Sequence, residues 1–291
     1  MLAYRILLTM FPVFAVIAVG YLYGRWRRPD MGLANQLNMD IFLPALLFHV
    51  LAGKEFHIAE YQALALGGLL VILGSGLLVL PIARLTRLHP KTLLPPMMFT
   101  NTGNIGLPLA VLAFGEAALP GAVVLFIVEN TLHFSLGAYI MDRHAGIARL
   151  FRMPIILATI AGLLVSLLDW KIPRLIALPV EMLGQVSVPL LLFALGVRLV
   201  QVDFSDWKAG LLGAVLCPLS GVLLVLALLP FLDLPALQRN LFIVFGALPP
   251  AVLNYIVAEQ YRQEPKRVAS IVMLGNLAGI ITLPTALAFV L

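Results

Sequence analysis

Apolar residues along this chain neither alternate nor keep to one helical stripe. They come in runs of about twenty, the length a helix needs to cross a bilayer, separated by short polar stretches. Ten such runs fit, near 4–24, 33–53, 62–83, 93–114, 119–141, 154–169, 176–198, 208–231, 239–260 and 267–290. The longest interior connection, Asp142 to Met153, is about a dozen residues, too short for an extramembrane domain. The pattern therefore predicts an all-α membrane protein with ten spans. The run near the N-terminus is long and lacks a small-residue cleavage site, so it is read as a span rather than a signal peptide.

Two runs are interrupted. The centre of the fourth is Asn101-Thr102-Gly103-Asn104-Ile105-Gly106-Leu107-Pro108. Gly and Pro weaken a helix, and irregular backbone at membrane depth is tolerated only inside protein or beside a water-filled cavity. The ninth run carries Gly246, Pro249, Pro250 and Asn254 in the same relative place. Paired broken segments in two halves of a chain mark the binding site of a secondary transporter.

The halves also echo one another. Pro44-Ala-Leu-Leu-Phe48 matches Pro189-Leu-Leu-Leu-Phe193, Pro108-Leu-Ala-Val-Leu112 matches Pro249-Pro-Ala-Val-Leu253, and Asn130 matches Asn276, all at offsets of 141 to 146. Repeats over 1–145 and 146–291 with five spans each enter the membrane in opposite senses, an inverted repeat.

Composition agrees. The 291 residues are 62% hydrophobic and 11% charged, against about 25% charged in soluble domains, and the mean hydropathy is +1.03. The net charge of +5 would point to nucleic acid in a soluble chain; here it sorts by side. Of the 19 Lys and Arg, 14 fall on the side of the Arg25–Arg28 loop, Arg198 among them, and 5 on the other. The positive-inside rule then places both termini outside, in the periplasm for an inner membrane. The lone Cys217 sits in an apolar run and permits no intramolecular disulfide.

Few residues carry chemistry. Asn101 and Asn104 supply amides, Gly103 and Gly106 release the backbone, and Pro108 can open a half-helix whose free N–H groups favour an anion. The asparagines would equally serve to satisfy freed backbone groups. Glu129 and His133 lie one turn apart with Asn130 beside them, and ionisable groups inside a membrane usually face a cavity, where they suit proton exchange. The alternative is a satisfied structural pair. Asn254 and Tyr255 follow the second break, and Glu116 and Glu259 end the two broken runs at a water interface. Metal-ligand spacing, a phosphate loop and a nucleophile turn are all missing, so neither a cofactor nor an enzymatic activity is expected.

At Asn101–Pro108, Pro249-Pro-Ala-Val-Leu-Asn254, Ala258-Glu-Gln-Tyr261 and Pro44-Ala-Leu-Leu-Phe-His49 the sequence resembles the auxin efflux carrier family of plant PIN-type auxin carriers and bacterial organic-acid permeases. The resemblance spans the chain. It implies the crossed-helix fold of sodium/proton antiporters and bile-acid transporters, with spans four and nine broken and crossing. It implies a scaffold domain from spans one, two, six and seven, a transport domain from the others, elevator-type movement, carboxylate substrates and a homodimer through the scaffold. It places the carboxylate on Asn101 and lines the pocket with polar residues of span five, near Glu129 and His133; Thr102, Gly103, Asn104, Pro108, Asn130, Pro249, Pro250, Leu253, Asn254 and Leu47 complete the candidate substrate site. The charged pair that plant members carry on span three is missing from Gln62–Ala83, and so is their long cytoplasmic loop. The expectation is a permease for small organic anions. The rivals are a cation/proton antiporter, which would place paired carboxylates at the crossing, and an intramembrane enzyme or receptor, for which no catalytic constellation or signalling domain exists.

Overall fold

The computed structural model describes residues 2–53, 56–143, 151–200 and 206–291; Lys54 and Arg149, counted above for orientation, lie outside them. The regular structure of the described residues is helical throughout. The main helices are α1 (Leu2–Arg27), α2 (Gly32–Leu37), α3 (Leu43–Leu51), α4 (Gln62–Thr86), α5 (Pro90–Met98), α6 (Leu107–Phe114), α7 (Leu119–Leu132), α8 (Ala138–Met141), α9 (Pro154–Leu167), α10 (Arg174–Leu199), α11 (Trp207–Leu228), α12 (Ala236–Gly246), α13 (Leu253–Gln260) and α14 (Pro265–Val290). π-Helical turns join α2 to α3 (Asn38–Phe42), lead into α6 (Thr102–Gly106) and join α7 to α8 (His133–Gly137). Helix stops inside two apolar runs, at 99–101 and 247–252.

Among the described residues six helices are long and apolar enough to cross a membrane, and Thr102–Phe114 and Pro154–Leu167 are shorter apolar helices. Large apolar side chains on their outer faces, such as Leu7, Phe11 and Leu22 on α1 and Leu211, Val215 and Leu219 on α11, are exposed, as a lipid-facing surface requires. The interior is closed by side chains from several helices: Phe99, Phe242, Leu64 and Ile72 are fully buried in one cluster, and Leu47, Leu51, Leu107 and Ile155 in another.

Helices α1 and α10 pack backbone against backbone, and their closeness is a glycine effect. A Cβ added to Gly196 would lie 2.0 Å from the Ile17 carbonyl oxygen, and one on Gly20 would lie 2.2 Å from that of Phe193. Small residues let membrane helices approach until backbones touch. Both neighbours are backbone atoms and cannot rotate away. Gly196→Val should therefore cost about 1–3 kcal/mol and lower the melting temperature in detergent. An unchanged melting curve on the purified variant would show that this packing is not tight in the folded protein.

Candidate functional site

The two helix-free stretches meet. The Asn101 N–H donates to the Pro249 carbonyl at 2.7 Å, the Ala251 N–H donates to the Phe99 carbonyl at 3.0 Å, and Thr100 and Pro250 form an isolated antiparallel bridge. Prolines at 249 and 250 bring carbonyls but no donors, so the opposite stretch and nearby amides must supply the missing partners. Asn254 Nδ2 donates to the carbonyls of Phe99 and Ala251, both at 2.9 Å. On α14, Asn276 Nδ2 donates to the Pro250 carbonyl at 2.9 Å and to that of Val272 at 2.7 Å. Asn101 Nδ2 donates to Asn276 Oδ1 at 2.7 Å, so three asparagines fasten the two stretches to each other and to α14.

Asn101 also restarts the helix. Its Oδ1 accepts from the Asn104 N–H at 3.3 Å, an N-cap contact, and its carbonyl accepts from the N–H groups of Ile105 and Gly106 at 3.2 and 3.0 Å. Pro108 does not open the restarted helix as the sequence suggested: it lies beyond the π-helical turn Thr102–Gly106, inside a continuous helix, where it removes one backbone donor. Gly103 leaves room for the Phe126 ring: a Cβ there would lie 3.0 Å from it, and the ring would have to give way slightly.

A cavity of about 240 Å³ opens beside this junction. One wall is the junction itself, Thr100 to Asn104 with Ala251 to Leu253, so the turn leading into α6 and the N-terminus of α13 both border it. Phe126, Glu129, Asn130 and His133 of the α7 region form a second wall. Asn35, Gln36, Asn38 and Met39 form a third, and Leu191, Ala194 and Arg198 of α10 a fourth.

Glu129 is 2% exposed and accepts a hydrogen bond from Thr100 Oγ1 at 3.2 Å. His133 stacks flat on Phe99 with centroids 4.2 Å apart, and its Nε2 is buried without a partner. The two share the wall without bonding each other. Asn130 Nδ2 donates to the Phe126 carbonyl at 2.9 Å.

Of the residues singled out from sequence, Asn101, Thr102, Gly103, Asn104, Glu129, Asn130, His133 and Leu253 border the cavity. Pro108, Pro249, Pro250, Asn254 and Leu47 do not: Pro108 lies inside the helix beyond the junction, Pro249 and Pro250 shape the junction, Asn254 clamps it, and Leu47 is fully buried in a hydrophobic cluster. Tyr255 turns away to donate to Glu259 at 3.2 Å, and both Glu116 and Glu259 are exposed. Sequence reasoning missed Asn35, Gln36 and Asn38, and it counted Arg198 as a loop charge. A polar triplet at the start of an apolar run was the available signal.

Comparison with known proteins gives one consistent picture. The family model described as membrane transport protein matches residues 5–147 and 144–287. A protein of Rhizobium meliloti (strain 1021) named "Putative malonate transporter" is 26% identical over 295 residues, covering 93% of this chain and 91% of that one. An uncharacterized transporter of Methanocaldococcus jannaschii is 20% identical over 293 residues, covering 93% and 94%.

Proposed function

Because this chain belongs to the membrane transport protein family, the auxin efflux carriers, and is thus a multi-pass transporter and not an enzyme, we propose that it carries small organic anions across the inner membrane through the cavity at the junction. The observation that carries this reading is the cavity wall itself. Two helix starts, at Thr102 and Leu253, border it, and helix starts favour negative charge. The amide of Asn101 lies between them and has a second N–H beyond the one given to Asn276. Two breaks paired in this way are how secondary transporters build a site at mid-membrane. In this reading the breaks at 99–101 and 247–252 interrupt spans four and nine of a ten-span, five-plus-five inverted repeat.

The size favours a small acid. At about 240 Å³ the cavity falls below the roughly 300–1,000 Å³ of pockets for drug-sized ligands. The name carried by the Rhizobium relative points the same way. A cation/proton antiporter would need paired carboxylates, whereas Glu129 is the only acid bordering the cavity among the described residues, and Arg198 borders it too. The walls belong to both proposed domains: α2 and α10 to the scaffold of spans one, two, six and seven, and the junction and α7 to the transport domain. An elevator movement of one past the other would carry the bound anion across, with a homodimer formed through the scaffolds.

The test is uptake of labelled malonate, malate and indole acetate into proteoliposomes, with and without a pH gradient. Uptake of the small acids is expected; no saturable uptake of any acid would end the reading. Orientation has its own test. Single cysteines at Arg87 and at His57 should label from opposite faces, with Arg87 cytoplasmic, against a background kept low by the burial of Cys217. Labelling of both from one face would refute the layout.

A further inference from the structure

We propose that Arg198 and Asn38 form a second anion pole, which holds the far carboxylate of a dicarboxylate whose near carboxylate rests on the Asn101 junction. The proposal rests on the anion-carrier reading above and adds the substrate class.

Arg198 stands in the last turn of α10 and borders the cavity. The salt bridges of the described residues all belong to Arg267, which pairs with Asp206 and Glu264. Arg198 therefore has no acid of its own there. A guanidinium in a transmembrane helix is costly and normally finds a partner. Its planar fork of donors matches a carboxylate in two parallel bonds.

Asn38 supplies the independent observation. It is 1% exposed and borders the same cavity, yet neither its Nδ2 nor its Oδ1 has a hydrogen-bond partner. Buried amides are nearly always satisfied, so an orphan on a cavity wall points to a group that arrives later. Asn38 also opens the π-helical turn Asn38–Phe42, and such turns recur at functional sites. That turn packs against α10, and α10 packs against the turn Thr102–Gly106, so the two poles flank one space.

Two poles on separate elements read two carboxylates. A monocarboxylate on the junction leaves Arg198 and Asn38 unpaired, as they are among the described residues. A dianion also fits the charges facing the space: Glu129 is the one acid on the wall, His133 is the neighbouring base, and Arg198 is the fixed cation.

The test uses malonate and its monoamide malonamate, which differ by one carboxylate at nearly constant size, titrated onto the purified full-length protein. Wild type should prefer malonate by at least about tenfold, the scale of one charged hydrogen-bonded pair. Arg198→Gln should equalise the two by weakening malonate alone, while retained malonamate binding shows the variant folded. Arg198→Lys should keep part of the preference, and Asn38→Ala should lose part of it. Equal binding of both probes by wild type would overturn the second pole and leave the anion reading standing. So would an Arg198→Gln variant that keeps the malonate preference, as an interface arginine would, or one that loses both probes equally. A wild type that binds neither pair, malonate with malonamate or succinate with succinamate, would count against the anion reading itself.

Discussion

Asn101→Ala is expected to abolish measurable anion binding. The side chain does three things at once. It borders the cavity, it caps the turn at Asn104, and it donates at 2.7 Å to Asn276, which in turn holds the Pro250 carbonyl. Loss of a hydrogen bond to a charged ligand costs about 1.5–3 kcal/mol, a factor of roughly ten to more than a hundred in affinity. Loss of the cap adds about 1 kcal/mol against the helix start that faces the anion. Because Asn276 Oδ1 would also be left buried without its donor, part of the effect would be on stability. Asn101→Asp also lacks that donor, so detergent gel filtration, run beside the binding assay, is what separates folding from binding. The Asp variant keeps an acceptor for the Asn104 N–H but sets a negative charge against the incoming carboxylate. The expected result is a folded protein, by detergent gel filtration, without malonate binding in titration calorimetry. Wild-type affinity in either variant would remove Asn101 from the site.

The helical, membrane-spanning character of the chain was legible because lipid imposes a coarse rule. An apolar run of about twenty residues has one economical conformation in lipid, which is why an all-helical membrane protein could be read from the sequence. What was not legible is the direction in which a polar side chain points. Asn101 and Asn254 read alike as amides at a break, yet one borders the cavity and the other spends both its donors on the carbonyls of Phe99 and Ala251. Leu47 sits in one of the motifs that carry the resemblance and was counted a candidate, but its side chain packs into the core. Arg198 shows the limit of counting charges by side. An arginine at a helix end serves the positive-inside census wherever its side chain goes, and only the packing of α10 against the Asn38 turn brings it to the cavity. Asn38 had a signal, since Asn35, Gln36 and Asn38 put three amides at the start of an apolar run, but a polar cluster at a run's edge reads equally as a water interface.

Glu129→Gln is expected to bind the anion at least as well as wild type while losing most of the pH response of transport. The carboxyl borders the cavity, is shut from solvent and accepts a hydrogen bond from Thr100 Oγ1 at 3.2 Å. Gln is nearly isosteric and can accept that bond, so the variant changes charge more than shape. When Glu129 is ionised it repels a carboxylate on the neighbouring junction. At about 6 Å and an effective dielectric near 20 that repulsion is roughly 3 kcal/mol, or about a hundredfold in affinity. Arg198 attracts the same anion, but its charge does not change over the accessible pH range, so it offsets the repulsion without altering its pH dependence. His133, stacked on Phe99 with Nε2 unpartnered, is the other group on the wall that can titrate. Protonating either group favours the anion, and the sign is therefore the same for both: affinity rises as pH falls through the titration, and a proton enters with the substrate. Anion uptake by wild type should thus increase with a proton gradient directed the same way. The Gln variant should show uptake that is high and nearly flat with pH, and His133→Gln should leave most of the response in place. If Glu129→Gln followed pH as wild type does while His133→Gln went flat, the coupling proton would belong to the imidazole.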